Sequence, residues 1–258
     1  MFRLFVFSGV LVVIALFTAL VAPYFIDWTA YKQDFERQAS QVFGQPVTVG
    51  GGANVRILPL PSVSFGDLSV GETSSGQPLM TVEQFSANVE LAPLLSGEIR
   101  IVDMSLTRPH FNIEVDESGR IAWTQRRELL VDPGQVEVDS LSVREASFIL
   151  SGLADGSTIT GDRINADISA QSLVGPWRIE GSGEIGGSAT EFSIATGRLT
   201  DAGTMRLRIA AVREDQPYEL RADGPVSLDE DVLAWQGEFE ITPGWRNRRV
   251  QLLPMSGR

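Results

Sequence analysis

The sequence predicts a mainly β protein that follows one N-terminal membrane span and one short amphipathic helix. Three observations predict this fold class. Residues 4–22 carry no charge, apolar residues recur at helical spacing after Asp27, and nearly every apolar pattern beyond Gly44 has a period of two. We therefore expect a sheet that lies beside a membrane.

Residues 1–26 are predicted to be a transmembrane anchor. The apolar run from Leu4 to Ala22 has nineteen residues, which at helical rise reach roughly 28 Å, close to a hydrocarbon core of about 30 Å. The amphipathic aromatic residues that follow suit the headgroup level, so we predict these membrane-interface residues: Tyr24, Trp28 and Tyr31.

A cleaved signal peptide is the alternative interpretation of this stretch. The run is long for that role, Leu20 stands where a small residue is expected, and Pro23 would follow the cut.

Charge counting leaves the orientation open, because Arg3 opposes Lys32 and Arg37. A three-residue tail has little to translocate, so we expect the N-terminus in the cytoplasm and the domain outside.

Residues 27–45 are predicted to form an amphipathic helix. Asp27 suits the N-cap, and Gly44 with Pro46 ends the helical pattern. Apolar residues recur at intervals of three and four between them: Trp28, Tyr31, Phe35, Ala39, Val42 and Phe43. The favoured interpretation is a helix that plugs the end of a β core, and the functional alternative is a helix that closes one end of a lipid-exposed groove.

Residues 46–243 are predicted to form about a dozen antiparallel strands with one apolar and one wet face. Along two clear examples, apolar residues alternate with polar ones: Phe85, Ala87, Val89 and Leu91, then Phe111, Ile113 and Val115. Gly- and Pro-containing turn signals separate the strands.

The chain also repeats itself with an offset of thirty-seven residues. Met104, Leu106 and Pro109 match Leu141, Val143 and Ala146, and the match continues from Phe111 and Ile113 to Phe148 and Leu150. A second pair aligns residues 80–89 with residues 159–168. We expect repeated units whose apolar faces join into a continuous one, with chance similarity among strands as the alternative.

The residues of ordinary catalysis and nucleic-acid binding are sparse. A net charge of -12 repels nucleic acid, and the chain has no cysteine and one histidine, His110. Most Asp and Glu residues occupy polar alternate positions, where solvation explains them. Gly50, Gly51 and Gly52 lack the lysine of a phosphate loop. We predict no catalytic residue, metal site or cofactor, and hence no enzyme.

The last segment, residues 244–258, is predicted to be a C-terminal tail. It contains a short basic and aromatic patch made by Trp245, Arg246, Arg248 and Arg249. A solvated terminal strand or linker is the favoured interpretation, and binding of anionic headgroups is the alternative.

Several stretches of this sequence resemble the beginning of AsmA family proteins. They are the anchor, the aromatic helix that ends at Phe43 and Gly44, and three segments: residues 57–67, 85–91 and 94–101 with their continuation through Pro109, Phe111 and Ile113. The resemblance covers roughly residues 1–125 and rests on strand spacing afterwards. Family members are typically much longer, and their C-terminal portion is not found in this chain.

The resemblance implies a single-pass protein of the Gram-negative inner membrane with its domain in the periplasm. It implies an open, twisted antiparallel β-groove, shaped like a taco, that carries phospholipid acyl chains toward the outer membrane. Outer-membrane assembly or lipid-transport proteins would be its partners. The residues expected to line the groove are Phe85, Val89, Leu91, Phe111, Ile113, Val115, Phe148 and Leu150.

The alternative is a membrane-anchored scaffold that assists outer-membrane protein assembly. In that case the same apolar residues form the dry core of a closed β-sandwich. Both alternatives produce a period of two, so the pattern alone does not separate them.

Overall fold

The computed structural model describes residues 32–56, 60–90, 99–115, 136–152, 156–172, 174–200, 202–216, 218–229 and 232–243. The predicted anchor, residues 1–26, lies outside them, as do the interface residues Tyr24, Trp28 and Tyr31. Within the described ranges, no helix is long and apolar enough to cross a bilayer.

The described residues form one helix, α1 (Lys32–Phe43), and thirteen strands. The strands are β1 (Val47–Val49), β2 (Ala53–Arg56), β3 (Ser62–Val70), β4 (Met80–Val89), β5 (Ile99–Glu114), β6 (Val136–Ser151), β7 (Ile159–Ala170), β8 (Trp177–Ile185), β9 (Ser188–Thr196), β10 (Thr204–Arg213), β11 (Tyr218–Asp229), β12 (Val232–Trp235) and β13 (Glu238–Pro243). The prediction of a mainly β protein is confirmed.

All thirteen strands belong to one open sheet. Its order is β1-β3-β4-β5-β6-β7-β8-β9-β10-β11-β12, with β2 also paired to β3 and β13 also paired to β11. Each edge is therefore one interrupted strand, β1 with β2 at one side and β12 with β13 at the other. The alternative of a closed sandwich is wrong for the described strands, because they form a single sheet whose two edges do not pair with each other.

The predicted antiparallel pairing is correct throughout the described sheet except between β5 and β6. These two long strands run parallel, and their register joins Ile99 to Val136 and Ile113 to Leu150. Every such pair is thirty-seven residues apart. The offset of the sequence repeat therefore equals the offset of the strand pairing, and equivalent residues of the two copies lie side by side.

The second predicted repeat does not share this register. Phe85 of β4 lies opposite Leu106, whereas its aligned residue Ile164 of β7 lies opposite Ala146. If the two repeats shared one register, Ile164 would lie opposite Val143, because Val143 is the residue that corresponds to Leu106 in the first repeat. β4 and β7 flank the parallel pair on its two sides, but they are not equivalent residue by residue.

One row of charged residues crosses the sheet with an unusual backbone. Asp67, Arg108, Glu145 and Arg163 have φ angles of 50°, 48°, 53° and 49°, the left-handed region that side chains with a Cβ rarely adopt. The strand registers skip Asp67, Glu83, Arg108 and Glu145 at the same level of the sheet, and Arg108 forms ion pairs with both Glu83 and Glu145. We call these five residues the charged row.

The charged row changes the strand period where it crosses. Phe65 and Leu68 are both buried, and so are Val143 and Ala146, so apolar residues are three apart across the row rather than two. A single left-handed residue absorbs the extra step. The strands that the row crosses therefore keep most of their apolar residues on one face, the apolar face, and their charged residues on the other, the polar face.

Candidate functional site

The apolar face is the candidate site, and the parallel pair β5 and β6 lies at its centre. Phe111 lies beside Phe148, and Ile113 lies beside Leu150. Met80 of β4 continues the first of these rows from the other side. The structure therefore brings together four of the predicted lining residues, and all four are half-buried.

The other predicted lining residues are more dispersed. Val89 lies opposite Ile101 near one end of the strands, and Val115 lies at the other end, where its N–H donates to the carbonyl of Ser151 at 3.0 Å. Leu91 lies outside the described residues.

Phe85 belongs to a covered part of this face. Its ring is 6.2 Å from that of Phe65, which stacks on Phe35 of α1 at 3.8 Å between centroids. Ala39 of the same helix is also buried against this cluster. Thus α1 plugs the end of the apolar face at β1 and β3, and Phe85 lies under that plug.

Beyond β6, the apolar face continues over strands that the sequence reasoning did not assign to the site. Ile164 and Ala166 of β7 are buried with Val143 and Ala146, and Ile179 and Phe192 of the next two strands pack against them. The site thus extends across β7, β8 and β9.

A glycine explains why the alternation of β8 is hard to see in the sequence. Gly181 occupies an apolar-face position of β8, and a Cβ there would lie 2.7 Å from the Phe192 ring and 3.0 Å from Ala166. The ring therefore lies over the bare backbone and reaches the strand beyond, as aromatic residues do beside strand glycines. A glycine interrupts the alternation in the sequence, so the detectable signal was the nearby Phe192.

Much of the apolar face is only half-buried. Within the described residues, no second sheet and no helix besides α1 is available to cover it. At the far edge of the sheet, Trp235 is 40%, Phe239 56% and Ile241 57% exposed. This arrangement can hold apolar ligands, because it leaves a broad hydrocarbon surface only partly covered.

The polar face is covered by ion pairs between neighbouring strands. Arg100 donates to Asp139 at 3.1 Å, and Arg206 donates to Asp223 at 2.7 Å. Hydrogen bonds from Arg108 hold the pKa of Glu83 below its ordinary value, and hydrogen bonds from Arg206 do the same for the pKa of Asp223. These carboxylates stay ionised and paired, so they are poorly suited to proton transfer at neutral pH.

His110 lies on the polar face, where the alternation placed it. Its Nδ1 is 2.8 Å from the Ser147 hydroxyl, and its Nε2 is 3.2 Å from Asn112 Oδ1. The sequence did not indicate Ser147 as a partner, although it occupies the position equivalent to His110 in the second copy of the repeat. The trio joins β5 to β6. Across the described residues, no group of three or more His, Asp or Glu side chains could hold a metal ion.

Comparison with known proteins gives one match. The model of the AsmA family matches residues 3–176, which include the predicted anchor, α1 and strands β1 to β7. No curated protein and no solved structure matches the chain. Strands β8 to β13 continue the same sheet beyond the matched residues.

Proposed function

This chain belongs to the AsmA family, and from that premise we propose that it carries phospholipid acyl chains along the apolar face of its sheet, from the inner membrane toward the outer membrane. In this proposal the open sheet is a twisted, taco-shaped groove. Membership of the family suggests a role in outer-membrane or lipid-related biogenesis, and the groove is the means by which this chain serves it.

The observation that carries the proposal is the half-covered apolar face of a single open sheet. Exposing an acyl chain to water costs about 0.8 kcal/mol for each CH₂ group. The chain therefore leaves a bilayer readily only when other apolar surface replaces the lipid around it. Phe111, Ile113, Phe148 and Leu150 supply such surface at the centre, and Ile179 extends it toward the far edge.

The dimensions of the sheet suit this role. The pairing path joins eleven strands, and at about 4.8 Å per strand spacing it reaches roughly 48 Å. The acyl chains would travel across the strands while the headgroups stay in water at the open side. The process is passive, so the proposal includes no catalytic residue, metal or cofactor.

We further propose that residues 1–26 hold the protein in the inner membrane, with the domain in the periplasm. α1 begins at Lys32, with five residues between it and the predicted anchor, so the plugged edge of the sheet would be the edge near the bilayer. Intact-mass measurement of the membrane-extracted protein should find Met1 to Ala22 retained. A new N-terminus near Pro23, or release of the domain by washing, would contradict the anchor.

The lipid path can be tested by photo-crosslinking with the full chain in bacterial membranes. A benzophenone amino acid replaces Phe111 on the apolar face of β5. The matched control replaces Ile149 on β6, which lies beside Asn112 on the polar face and is 39% exposed. The two positions are close, but they face opposite sides of the sheet.

We expect irradiation to attach phospholipid, detected by mass spectrometry, at position 111 and not at position 149. Equal adducts at the two positions would mean nonspecific membrane contact and would contradict the groove. If position 111 forms no lipid adduct while position 149 crosslinks to another protein, the scaffold alternative is supported instead.

A further inference from the structure

The two edges of the sheet differ in how their backbone is protected. At the β1 edge, α1 supplies acceptors: the N–H of Val47 donates to the Ser40 hydroxyl at 2.8 Å, and the N–H of Val49 donates to Glu36 Oε1 at 2.7 Å. An exposed strand edge is a template for pairing with another strand, and these bonds block it. The β1 part of this edge is therefore sealed.

The opposite edge, formed by β12 and β13, has no such cover among the described residues. Both strands pair with β11 on one side. On the apolar face, Phe239 lies opposite Ala222 and Ile241 opposite Leu220, yet both are more than half exposed. Another strand beside β13 would cover these two side chains and satisfy the edge backbone together.

The charges on β13 select among possible partners. Glu238 and Glu240 are exposed on the polar face of this strand. If two copies of the chain paired through antiparallel β13 strands with their apolar faces aligned, registers centred on Phe239 or Glu240 would place glutamate opposite glutamate. Like charges directly opposite each other destabilise strand pairs, so a second copy is disfavoured in these registers.

The charges of neighbouring β11 neutralise this acidic pair only in part. Arg221 lies opposite Glu240 and attracts it across the strands, but its guanidinium donates to Glu219 at 2.8 Å, and the residue opposite Glu238 is the acidic Asp223. A strand with basic residues on its polar side would place them against Glu238 and Glu240, while its apolar residues would cover Phe239 and Ile241. Opposite charges across strands stabilise their pairing.

We propose that the outer edge of β13 binds an extended polypeptide segment that alternates apolar and basic residues, and that the segment adds to the sheet as a further strand. Backbone hydrogen bonds along Glu238–Pro243 provide the pairing, and the two glutamates provide the selectivity. This inference does not depend on lipid transport, since it rests on the edge and its charges.

The test uses the full chain in nanodiscs and two fluorescent octapeptides. One alternates lysine and valine, and the other alternates glutamate and valine. We expect fluorescence anisotropy to show the lysine peptide binding at least tenfold more tightly. The double variant Glu238→Lys/Glu240→Lys should reverse this preference.

The matched control is Glu180→Lys/Glu191→Lys, which makes the same charge change on the polar face of the interior strands β8 and β9. It should leave the preference for the lysine peptide unchanged. If this control reverses the preference as the edge variant does, the peptide responds to net charge alone and the proposal is wrong.

Hydrogen exchange supplies a readout specific to strand addition. Binding of the lysine peptide should slow amide exchange within Glu238–Pro243, and a peptide N-methylated at alternate residues should not. Unchanged exchange on binding would overturn the proposal. Amides of β13 that are already protected before peptide is added would also overturn the proposal, because another strand would then occupy the edge. A concentration-dependent dimer would identify that strand as part of a second copy. Loss of the protection on deleting residues 244–258 would identify it as the chain's own tail.

Discussion

Arg108 of β5 and Glu145 of β6 lie side by side, thirty-seven residues apart in the sequence, and both have a left-handed backbone, with φ of 48° and 53°. The Arg108 guanidinium donates to the Glu145 carboxylate at 3.4 Å. The repeat therefore preserves a change in strand period as well as a pattern of apolar residues. Opposite charges at the equivalent positions then join the two copies on the polar face.

The left-handed backbone at Glu145 predicts an inverted order of stability between two variants. In an ordinary strand, valine is more favourable than glycine. At positive φ a β-branched residue is strained and glycine is not. We expect Glu145→Val to be less stable than Glu145→Gly by about 2 kcal/mol, a difference of about 4 to 8 °C in melting temperature by circular dichroism.

The neighbouring Arg144 provides the control for this prediction. It is exposed on the same strand and is not among the residues with positive φ. There the ordinary order should return, with Arg144→Val more stable than Arg144→Gly. If valine is the more stable variant at both positions, the left-handed conformation at Glu145 is wrong.

The Arg108–Glu83 pair predicts a specific pH dependence. The pKa of Glu83 is lowered from 4.5, chiefly by hydrogen bonding to Arg108. A carboxyl group whose folded pKa is depressed contributes stability above its unfolded pKa and loses it as the pH falls below about 4.5 through the folded value. Arg108→Gln should raise the pKa of Glu83 toward 4.5, as measured by NMR titration of ¹³C-labelled glutamate carboxyls.

A distant arginine serves as the comparison for that titration. Arg206→Gln removes a donor to Asp223 and should leave the titration of Glu83 unchanged. A Glu83 curve that is the same in wild type and in Arg108→Gln would show that the pair does not form in solution.

A carboxylate on the apolar face should remove bound lipid without unfolding the protein. If the apolar face carries lipid as proposed, the charge of Ile113→Asp would face acyl chains at a cost of several kcal/mol, but in an open groove it would reach water when lipid is absent. We expect a folded variant with several-fold less co-purifying phospholipid, measured by extraction and mass spectrometry. Val89→Asp should behave in the same way.

The matched control for this experiment is Ile149→Asp on the polar face, which should keep wild-type lipid. A closed core would respond differently, because Ile113→Asp would bury an unpaired charge and unfold the domain. A folded Ile113→Asp protein that retains its full lipid content would remove Ile113 from the lipid path.

The sealed edge depends on Glu36, which we expect to be important for stability. Glu36→Ala removes the acceptor of the Val49 N–H. Leaving this buried backbone donor without a partner should lower the free energy of unfolding by about 1–3 kcal/mol, and amide exchange at Val49 should accelerate. Lys32→Ala is the control, because Lys32 forms only a 4.0 Å ion pair with Glu36, and such pairs contribute little. Equal effects of the two substitutions would argue against the backbone bond.

His110 is expected to be dispensable for function. His110→Ala removes the contacts to Ser147 and Asn112, so a modest loss of stability of about 1 kcal/mol is expected. Cellular function should stay within about twofold of wild type. A complete loss of function in a folded variant would reopen the possibility of catalysis by the His110 and Ser147 pair.

The apolar face around β5 and β6 was predictable because a strand places alternate side chains on opposite faces. This periodicity identified Phe111, Ile113, Phe148 and Leu150, and the offset of thirty-seven residues identified the two copies to which they belong. Both signals are local, since each can be recognised within a stretch of a few tens of residues. For the same reason, the period was lost where Gly181 takes the place of an apolar side chain.

Pairing between distant strands decided the rest, and the sequence pattern does not encode it directly. A sequence repeat does not determine whether its two copies pair as parallel or antiparallel strands. Only the tertiary structure therefore showed that Phe111 lies beside Phe148. Alternation likewise does not show which edge is covered. By itself, the sequence determined which residues are apolar on each strand. The sealing of β1 by Glu36 and Ser40, and the exposure of Phe239 and Ile241 on β13, were decided by which strands became neighbours, because backbone hydrogen bonds join residues far apart in the chain.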